Sequence, residues 1–218
     1  EETVLVRNED YYRTPADIAK LVVQVFTDAT AMNAALMAGE VHVIPAVLYD
    51  NYEIFDQDPD LSYGKQKSTC VFGFHLNPDN AIIPRVMRRA MQFAYNYPYM
   101  AEILYDGTIV EHHSNVPEGM IGYNPDLPGL PYYNLTLARQ WLMEDEYYGP
   151  IVDARGLDVN STDEEWKAVG EDNPIDTFNF TTYWTTGMGQ LFYDNMEYIG
   201  VEIVEYALGD WSVFLQAA

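Results

Sequence analysis

The order of strand and helix patterns along the chain predicts an α/β fold. Two strand–helix–strand successions carry this prediction, one near the start at residues 19–44 and one near the end at residues 175–206. Composition agrees, because 48% of the 218 residues are hydrophobic and 14% are aromatic. That is enough apolar material to bury a sizeable core, and too much for a disordered chain.

Apolar and β-branched runs predict the strands. The run at 19–26 is the most continuous, and the run at 201–206 alternates as a half-buried strand does. Because Cys70 lies inside one of these runs, its thiol is expected to be buried in a strand. The predicted strands cover residues 4–8, 19–26, 40–44, 61–66, 69–76, 175–184 and 201–206.

Apolar residues at helical spacing predict the helices between these strands. Asp28 and Asn134 stand where N-caps are expected, and Pro84 suits the first position of a helix. The helix that follows Pro84 has a broad apolar face, with three arginines on its other side (Arg85, Arg88 and Arg89). The predicted helices cover residues 31–37, 85–97, 99–105, 134–147, 162–169 and 189–198, with a last one starting at Trp211 after the cap Asp210.

The charge of the chain excludes several classes of partner. Lys and Arg number 11 against 34 Asp and Glu, which leaves a formal net charge of −23. Nucleic acid binding needs clustered cations, and an anionic membrane surface would repel such a chain. At this charge the folded chain is also expected to repel itself in low salt, unless saline surroundings or basic surfaces elsewhere in the protein offset the repulsion.

Catalytic, cofactor and metal motifs are not found in the sequence. Cys70 is the only cysteine, and Gly187-Met188-Gly189 lacks the third glycine of a dinucleotide loop. The adjacent His112 and His113, beside Glu111, could bind a metal weakly, but a solvated loop is the default interpretation. The sequence therefore predicts no enzyme, no metal site and no cofactor.

A series of motifs in fixed order resembles the family 5 extracellular solute-binding proteins, the dipeptide and oligopeptide receptors of ABC importers. One position departs from the pattern, because His42 stands where the family has Asp. The matching motifs are Val6 to Tyr12, Ala38 to Val41, Phe74 to Asn77, Pro84 to Tyr95, Val116 to Asn124, Tyr132 to Leu142, and Met196 to Val204 followed by Asp210-Trp211.

The resemblance implies a periplasmic-binding-protein-like fold of class II, with two lobes that enclose the ligand. Residues 1–76 would be the end of lobe I with its hinge strand, and residues 77–218 would be lobe II, incomplete at its C-terminal end. The implied function is the extracellular or periplasmic capture of a small solute or peptide by a monomer that delivers it to an ABC permease, with the membrane anchor outside this chain. The alternative is a surface-layer or adhesion module that reuses the fold without transport.

The resemblance also implies the ligand-binding residues, which are Phe72, Phe74, Asn77 and Trp211. Phe72 and Phe74 would share one face of a strand, and that face looks either into the cleft or into the core. Trp211 would lie in the first turn of its helix, where an indole can stack on a peptide bond or a sugar. Alternatively, Trp211 packs under the strand at 201–206.

Overall fold

The computed structural model describes residues 2–66, 68–71, 73–79, 81–111, 116–127, 132–182 and 187–207. Its contacts divide the chain into two compact units, Glu1–Gln66 and Lys67–Ala218. The segment 69–76, which the sequence analysis assigned to the first domain, therefore belongs to the second unit. The assignment of the two parts to lobes stays a prediction.

The first unit contains an antiparallel strand pair and two short helices. Strand β1 (Glu2–Val6) pairs with β2 (Lys20–Gln24), so that Val4 lies opposite Val22. Every residue of both strands is exposed. The first helix, α1, covers Ala29–Met37, and a 3-10 turn at Tyr49–Asn51 leads into α2 at Tyr52–Gln57.

Helix α1 has the caps that the sequence predicts. The Asp28 carboxylate accepts a hydrogen bond from the Ala31 N–H at 2.8 Å, and Gly39 leaves the helix with φ of +72°. The strand predicted at 40–44 is wrong, because the N–H groups of Glu40 and Val41 bond back to the Ala35 carbonyl. These bonds continue the helix cap instead of a β-ladder.

The second unit contains the remaining helices and a parallel strand pair. The described elements are α3 (Arg85–Ala94), α4 (Tyr97–Tyr99) with a π-helical turn (Met100–Leu104), α5 (Leu135–Met143), α6 (Tyr148–Ala154), α7 (Asp163–Asp172), β3 (Asp176–Thr182), α8 (Gly187–Glu197) and β4 (Val201–Ala207). Strands β3 and β4 are parallel, with Asp176 opposite Val201, and α8 is the crossover between them. This βαβ unit confirms the predicted α/β class.

One hydrophobic core lies inside the second unit. Helix α3 contributes the apolar face that the sequence predicts and packs against α5 and α8, while α7 and β4 pack against α8 and against each other. The largest fully buried side chains are those of Trp166, Tyr148, Met87, Met91, Leu142 and Met196. Because α3 buries one face only, its arginine-bearing face is left outside this core.

Two other expectations from the sequence fail, the first of them in both units. The described residues of 61–66 and 69–76 form no strand, and Cys70 is exposed instead of buried, because no neighbouring strand pairs with this segment. Helix α6 was not predicted, since Gly149 and Pro150 argue against a helix. Pro150 stands in the first turn, where its missing N–H costs nothing, and the Asp145 carboxylate accepts the Tyr148 N–H at 3.1 Å.

Candidate functional site

The segment at 71–78, which the resemblance places beside the ligand, has a two-residue burial period. Phe74 and Leu76 are partly buried against the core, whereas Gly73, His75 and Asn77 are exposed. This is the pattern of a strand that covers a core with one face. In the described part of the chain, the backbone N–H and C=O groups of residues 73–76 make no hydrogen bond.

Phe74 looks into the core. Its ring stacks on Phe192 with centroids 4.5 Å apart, and it meets Tyr95 and Phe180 edge-on at 5.3 and 5.6 Å. Burial raises the pKa of Tyr95 above its ordinary value of 10.0. Of the two orientations that the sequence left open for Phe74, the structure has the one that faces the core.

Asn77 lies at the end of this segment, and its side chain is used locally. The Asn77 Oδ1 accepts a hydrogen bond from the Asp79 N–H at 2.9 Å, and its own carbonyl accepts one from Arg88 Nη1 at 3.3 Å. The same Arg88 nitrogen also donates to the Ile83 carbonyl. Arg88 therefore holds the turn residues Asn77 and Ile83 against the start of α3.

A pocket of about 790 Å³ lies between this segment and the polar face of α3. The helix wall of the pocket consists of Arg85, Arg88, Arg89 and Gln92, and the facing wall includes Gly73, Phe74, His75 and Leu76. The four helix residues are spaced three, four and seven apart from the first, so they project from one face of the helix. One wall of the pocket is therefore basic, and the facing wall carries the backbone N–H and C=O groups of residues 73–76, which bond to no described residue.

The three arginines of this pocket differ in their hydrogen-bond partners. Arg88 is held by the two carbonyl groups of the turn, as described above. Arg85 is exposed and Arg89 is partly exposed, and neither one pairs with a carboxylate or a carbonyl in the described part of the chain. Arginine and carboxylate form strong, often bidentate pairs. A chain with 34 acidic residues and only 11 basic ones offers many partners, so two unpaired arginines side by side are a notable site for an anion.

A second cavity of about 520 Å³ lies between residues 81–84 and the start of β3. Ile82, Ile83, Tyr147 and Phe178 give it an apolar lining. Its carboxylate, Asp176, already accepts a hydrogen bond from the Tyr148 hydroxyl at 2.7 Å. The one charged group described in this cavity already has hydrogen-bond donors from the protein, whereas Arg85 and Arg89 have no described acceptor, so the arginine-lined pocket is the stronger candidate.

Several predicted residues cannot be placed at either cavity. Phe72, Trp211, His112 and His113 lie outside the described residues. Within the described ranges, no group of three or more His, Cys, Asp or Glu side chains is arranged to hold a metal ion. The helices described here also include none that is long and apolar enough to span a membrane.

Sequence reasoning identified the arginines of α3 only as the face away from the core. The sequence signal that could have identified them as a site is their clustering, because three of the seven arginines of the chain fall within five residues. Gln92 extends the same stripe by one helical turn. The opposite wall has no such signal, since its place beside α3 depends on how the segment at 71–78 folds back.

Comparison with known proteins identifies the family. Residues 1–217 match the model of the bacterial extracellular solute-binding proteins, family 5 (middle). The chain belongs to this family. The resemblance stated from the ordered motifs is therefore confirmed.

Binding proteins of known structure show the same fold. A dipeptide-binding protein from Pseudoalteromonas sp. SM9913, solved with Met-Leu, matches 99% of the chain with a TM-score of 0.66 and 16% identity, over 39% of its own length. A periplasmic binding protein associated with an ABC transporter of Helicobacter pylori, solved with the peptide STSA, matches 99% of the chain with a TM-score of 0.62 and 19% identity, over 37% of its length. These likenesses confirm the predicted periplasmic-binding-protein-like α/β fold.

A relative found by sequence comparison is named for heme, and not for a peptide. Heme-binding protein A of Haemophilus influenzae is 24% identical over 193 residues, which cover 82% of this chain and 35% of that protein. The chain thus spans well under half of the length of these similar proteins.

Proposed function

We propose that the protein is the solute-binding component of an ABC importer, that its solute is a peptide, and that it captures this solute outside the cytoplasmic membrane. The observation that carries the proposal is the family 5 match over residues 1–217. Two relatives that share the fold over 99% of the chain were solved with peptides bound, which favours a peptide over other solutes. The protein is then a receptor that binds without chemical change, and not an enzyme.

The proposal includes the architecture that the sequence analysis inferred. Residues 1–76 are the end of the first lobe with the hinge strand, whose Phe74 packs on the second unit, and residues 77–218 are the second lobe. The receptor works as a monomer beside an ABC permease. In this arrangement the segment that carries Phe72, Phe74 and Asn77 contacts the ligand together with Trp211. Phe74 supports the same wall from the core side, because its ring packs on Phe192 and Tyr95.

The ligand class is tested on the full-length protein by thermal shift and then by isothermal titration calorimetry. The screen contains peptides of two to nine residues, heme, and a set of sugars, since one relative is named for heme. We expect peptides that bind more tightly to raise the melting temperature further, because a ligand that binds only the folded state stabilises it. If heme or a sugar stabilises the protein and no peptide does, the peptide assignment is wrong, and if no solute binds while a substrate is turned over, the receptor assignment is wrong.

The ligand-binding residues are tested with Trp211→Ala and with Phe74→Ala as the contrasting variant. Loss of a ligand contact at Trp211 should lower peptide affinity and leave the melting temperature nearly unchanged. Loss of the partly buried Phe74 ring should instead destabilise the fold, by no more than the about 3–5 kcal/mol that Phe→Ala changes cost in cores. If Trp211→Ala melts as early as Phe74→Ala, Trp211 packs in the core.

A further inference from the structure

We infer that the arginine-lined pocket on α3 is a subsite for the side-chain carboxylate of an acidic peptide. The inference rests on the proposed peptide-binding function and specifies the class of peptide. Its two essential observations are that, among the described residues, neither Arg85 nor Arg89 has a hydrogen-bond or ion-pair partner, and that the backbone of residues 73–76 on the facing wall has none either.

The two arginines are arranged to act on one anion. Residues four apart on a helix are neighbours, with side chains that start about 5–6 Å apart. Arg85 and Arg89 can therefore both reach one carboxylate, or each can donate two parallel hydrogen bonds to its own. Arg88 lies between them in sequence and is already bonded to the Asn77 and Ile83 carbonyls, so it stabilises the rim of the pocket.

The facing wall offers a way to hold the peptide main chain. Residues 73–76 alternate between partly buried and exposed, as a strand does, and in the described part of the chain their backbone groups have no partner. An extended peptide can add to such an edge through main-chain hydrogen bonds, while its side chains enter neighbouring pockets. A peptide lying along this edge would have one row of side chains directed at the arginines.

The volume of the pocket agrees with an occupant of this kind. Sites for small ligands commonly measure about 300–1,000 Å³, and this pocket measures about 790 Å³. Charge favours a carboxylate over a neutral or basic side chain, because the pocket wall holds three of the 11 basic residues in a chain of net charge −23. The overall negative charge would repel an acidic peptide at long range, so a local cluster of cations is what makes its capture possible.

The test compares peptides that differ only in one side chain. Ala-Ala-Ala, Ala-Lys-Ala, and the three positional isomers of a tripeptide with two Ala and one Glu or Gln are titrated into the full-length protein by calorimetry. All of them carry the same terminal carboxylate, so a preference for Glu over Gln reports the side chain. We expect one Glu isomer to bind about tenfold more tightly than its Gln counterpart at 0.1 M salt, and less so at 1 M, where screening is stronger.

Two double variants separate the pocket from a general effect of charge. Arg85→Gln with Arg89→Gln removes the two unpaired cations, and Arg13→Gln with Lys20→Gln removes the same charge from exposed positions of the first unit. The Arg85/Arg89 variant should lose the preference for Glu and still bind Ala-Ala-Ala, while the Arg13/Lys20 variant should keep both. Retained binding of Ala-Ala-Ala, with an unchanged melting temperature, shows that the first variant is folded.

Each other outcome overturns the inference. If Glu and Gln isomers bind equally well to the unaltered protein, no side-chain carboxylate subsite exists, although the peptide-receptor function still stands. If the Arg85/Arg89 variant weakens all peptides equally, the arginines serve the terminal carboxylate common to them all. If the Arg13/Lys20 variant loses as much preference, the effect is one of net charge. Failure of every peptide to bind would overturn the proposed function together with the inference.

Discussion

The Cα of Gly170 faces the backbone of Glu197 so closely that a Cβ at position 170 would lie 2.7 Å from both the Cα and the carbonyl oxygen of Glu197. Gly170 is buried in α7, and Glu197 is the last residue of α8. The contact is with main-chain atoms, which cannot move aside as the end of a flexible side chain can. The absence of a side chain at position 170 therefore fixes how α7 and α8 cross.

Gly170→Ala is expected to destabilise the protein by about 1–3 kcal/mol or more, as overpacking of a filled interior does. The better helix propensity of Ala, about 1 kcal/mol, offsets only part of this loss. The change is read as the midpoint of urea unfolding. Gly64→Ala is the matched control, because a Cβ at position 64 meets nothing within 4 Å, and an unchanged midpoint for both variants would show that α7 and α8 can separate freely.

The parts of the fold that could be predicted from the sequence are those whose cause is local. The side chains of the caps Asp28 and Asn134 accept hydrogen bonds from N–H groups three residues later, so the residues that determine each helix start lie within four positions. The strands at 176–182 and 201–207 were also found, because both partners of the pair are present. Residues 40–44 and 69–76 have strand-like sequences, but no described strand pairs with them. A strand needs hydrogen bonds to a neighbouring strand, and its own sequence pattern cannot show whether that neighbour is present.

The candidate site was predicted less completely than the fold, for a related reason. The arginine stripe of α3 follows from helical spacing, but the pocket also needs the segment at 71–78 to lie against it. That placement depends on Phe74 packing against Phe192, which comes 118 positions later in the chain. Contacts between residues so far apart leave no local sequence pattern. The sequence could therefore indicate the segment at 71–78 as part of a site, but not that α3 forms the opposite wall.

Arg139 joins three elements around a buried guanidinium group. Its Nε donates to the Tyr198 carbonyl at 2.9 Å, its Nη1 pairs with the Asp163 carboxylate at 2.6 Å, and the group lies 5.2 Å from the Trp166 ring centre. A lysine at this position has a single nitrogen and cannot make these contacts together. Arg139→Lys is expected to cost about 1–3 kcal/mol of unfolding free energy, measured by urea denaturation.

The comparison variant for Arg139 is Asp163→Asn. The Asp163 side chain is 55% exposed, so water screens the ion pair, and its loss should cost no more than about 1 kcal/mol. The Tyr198 hydrogen bond and the Trp166 contact remain in this variant. A larger loss for Asp163→Asn than for Arg139→Lys would mean that the ion pair, and not the buried packing of the guanidinium, stabilises this junction.

Tyr148 is fully buried and donates its hydroxyl to Asp176 Oδ2 at 2.7 Å. Burial raises the pKa of Tyr148 above its ordinary value of 10.0, and the hydrogen bond and charge of Asp176 raise it further. Above pH 10 the unfolded chain loses this proton while the folded chain keeps it. The stabilisation is therefore fully present below about pH 10 and declines as the pH rises further.

Tyr148→Phe is expected to cost about 1–2 kcal/mol at pH 7–9, because the Asp176 carboxylate loses a donor. The difference in unfolding free energy between the variant and the unaltered protein should shrink above pH 10, because Tyr148 ionises more easily in the unfolded chain and so favours that state. Urea unfolding at pH 7, 9 and 10.5 measures both effects. Tyr147→Phe, at the exposed neighbouring ring, should change neither, and a difference that grows with alkalinity would contradict the direction of the pKa shift.

The net charge of −23 makes the folded state sensitive to ionic strength. Repulsion among acidic side chains opposes the compact state, and its reach falls from about 10 Å at 0.1 M salt to about 3 Å at 1 M. We expect the melting temperature to rise by at least about 4 °C between 0.05 and 1 M NaCl, which corresponds to roughly 1–2 kcal/mol for a chain of this size. A variant with Glu40→Gln, Glu146→Gln and Asp172→Asn, three exposed acids without described partners, should melt higher than the unaltered protein at low salt and equally at 1 M. A melting temperature that stays flat across the salt range, or a gain from this variant that persists at 1 M, would show that charge repulsion does not limit the stability of the fold.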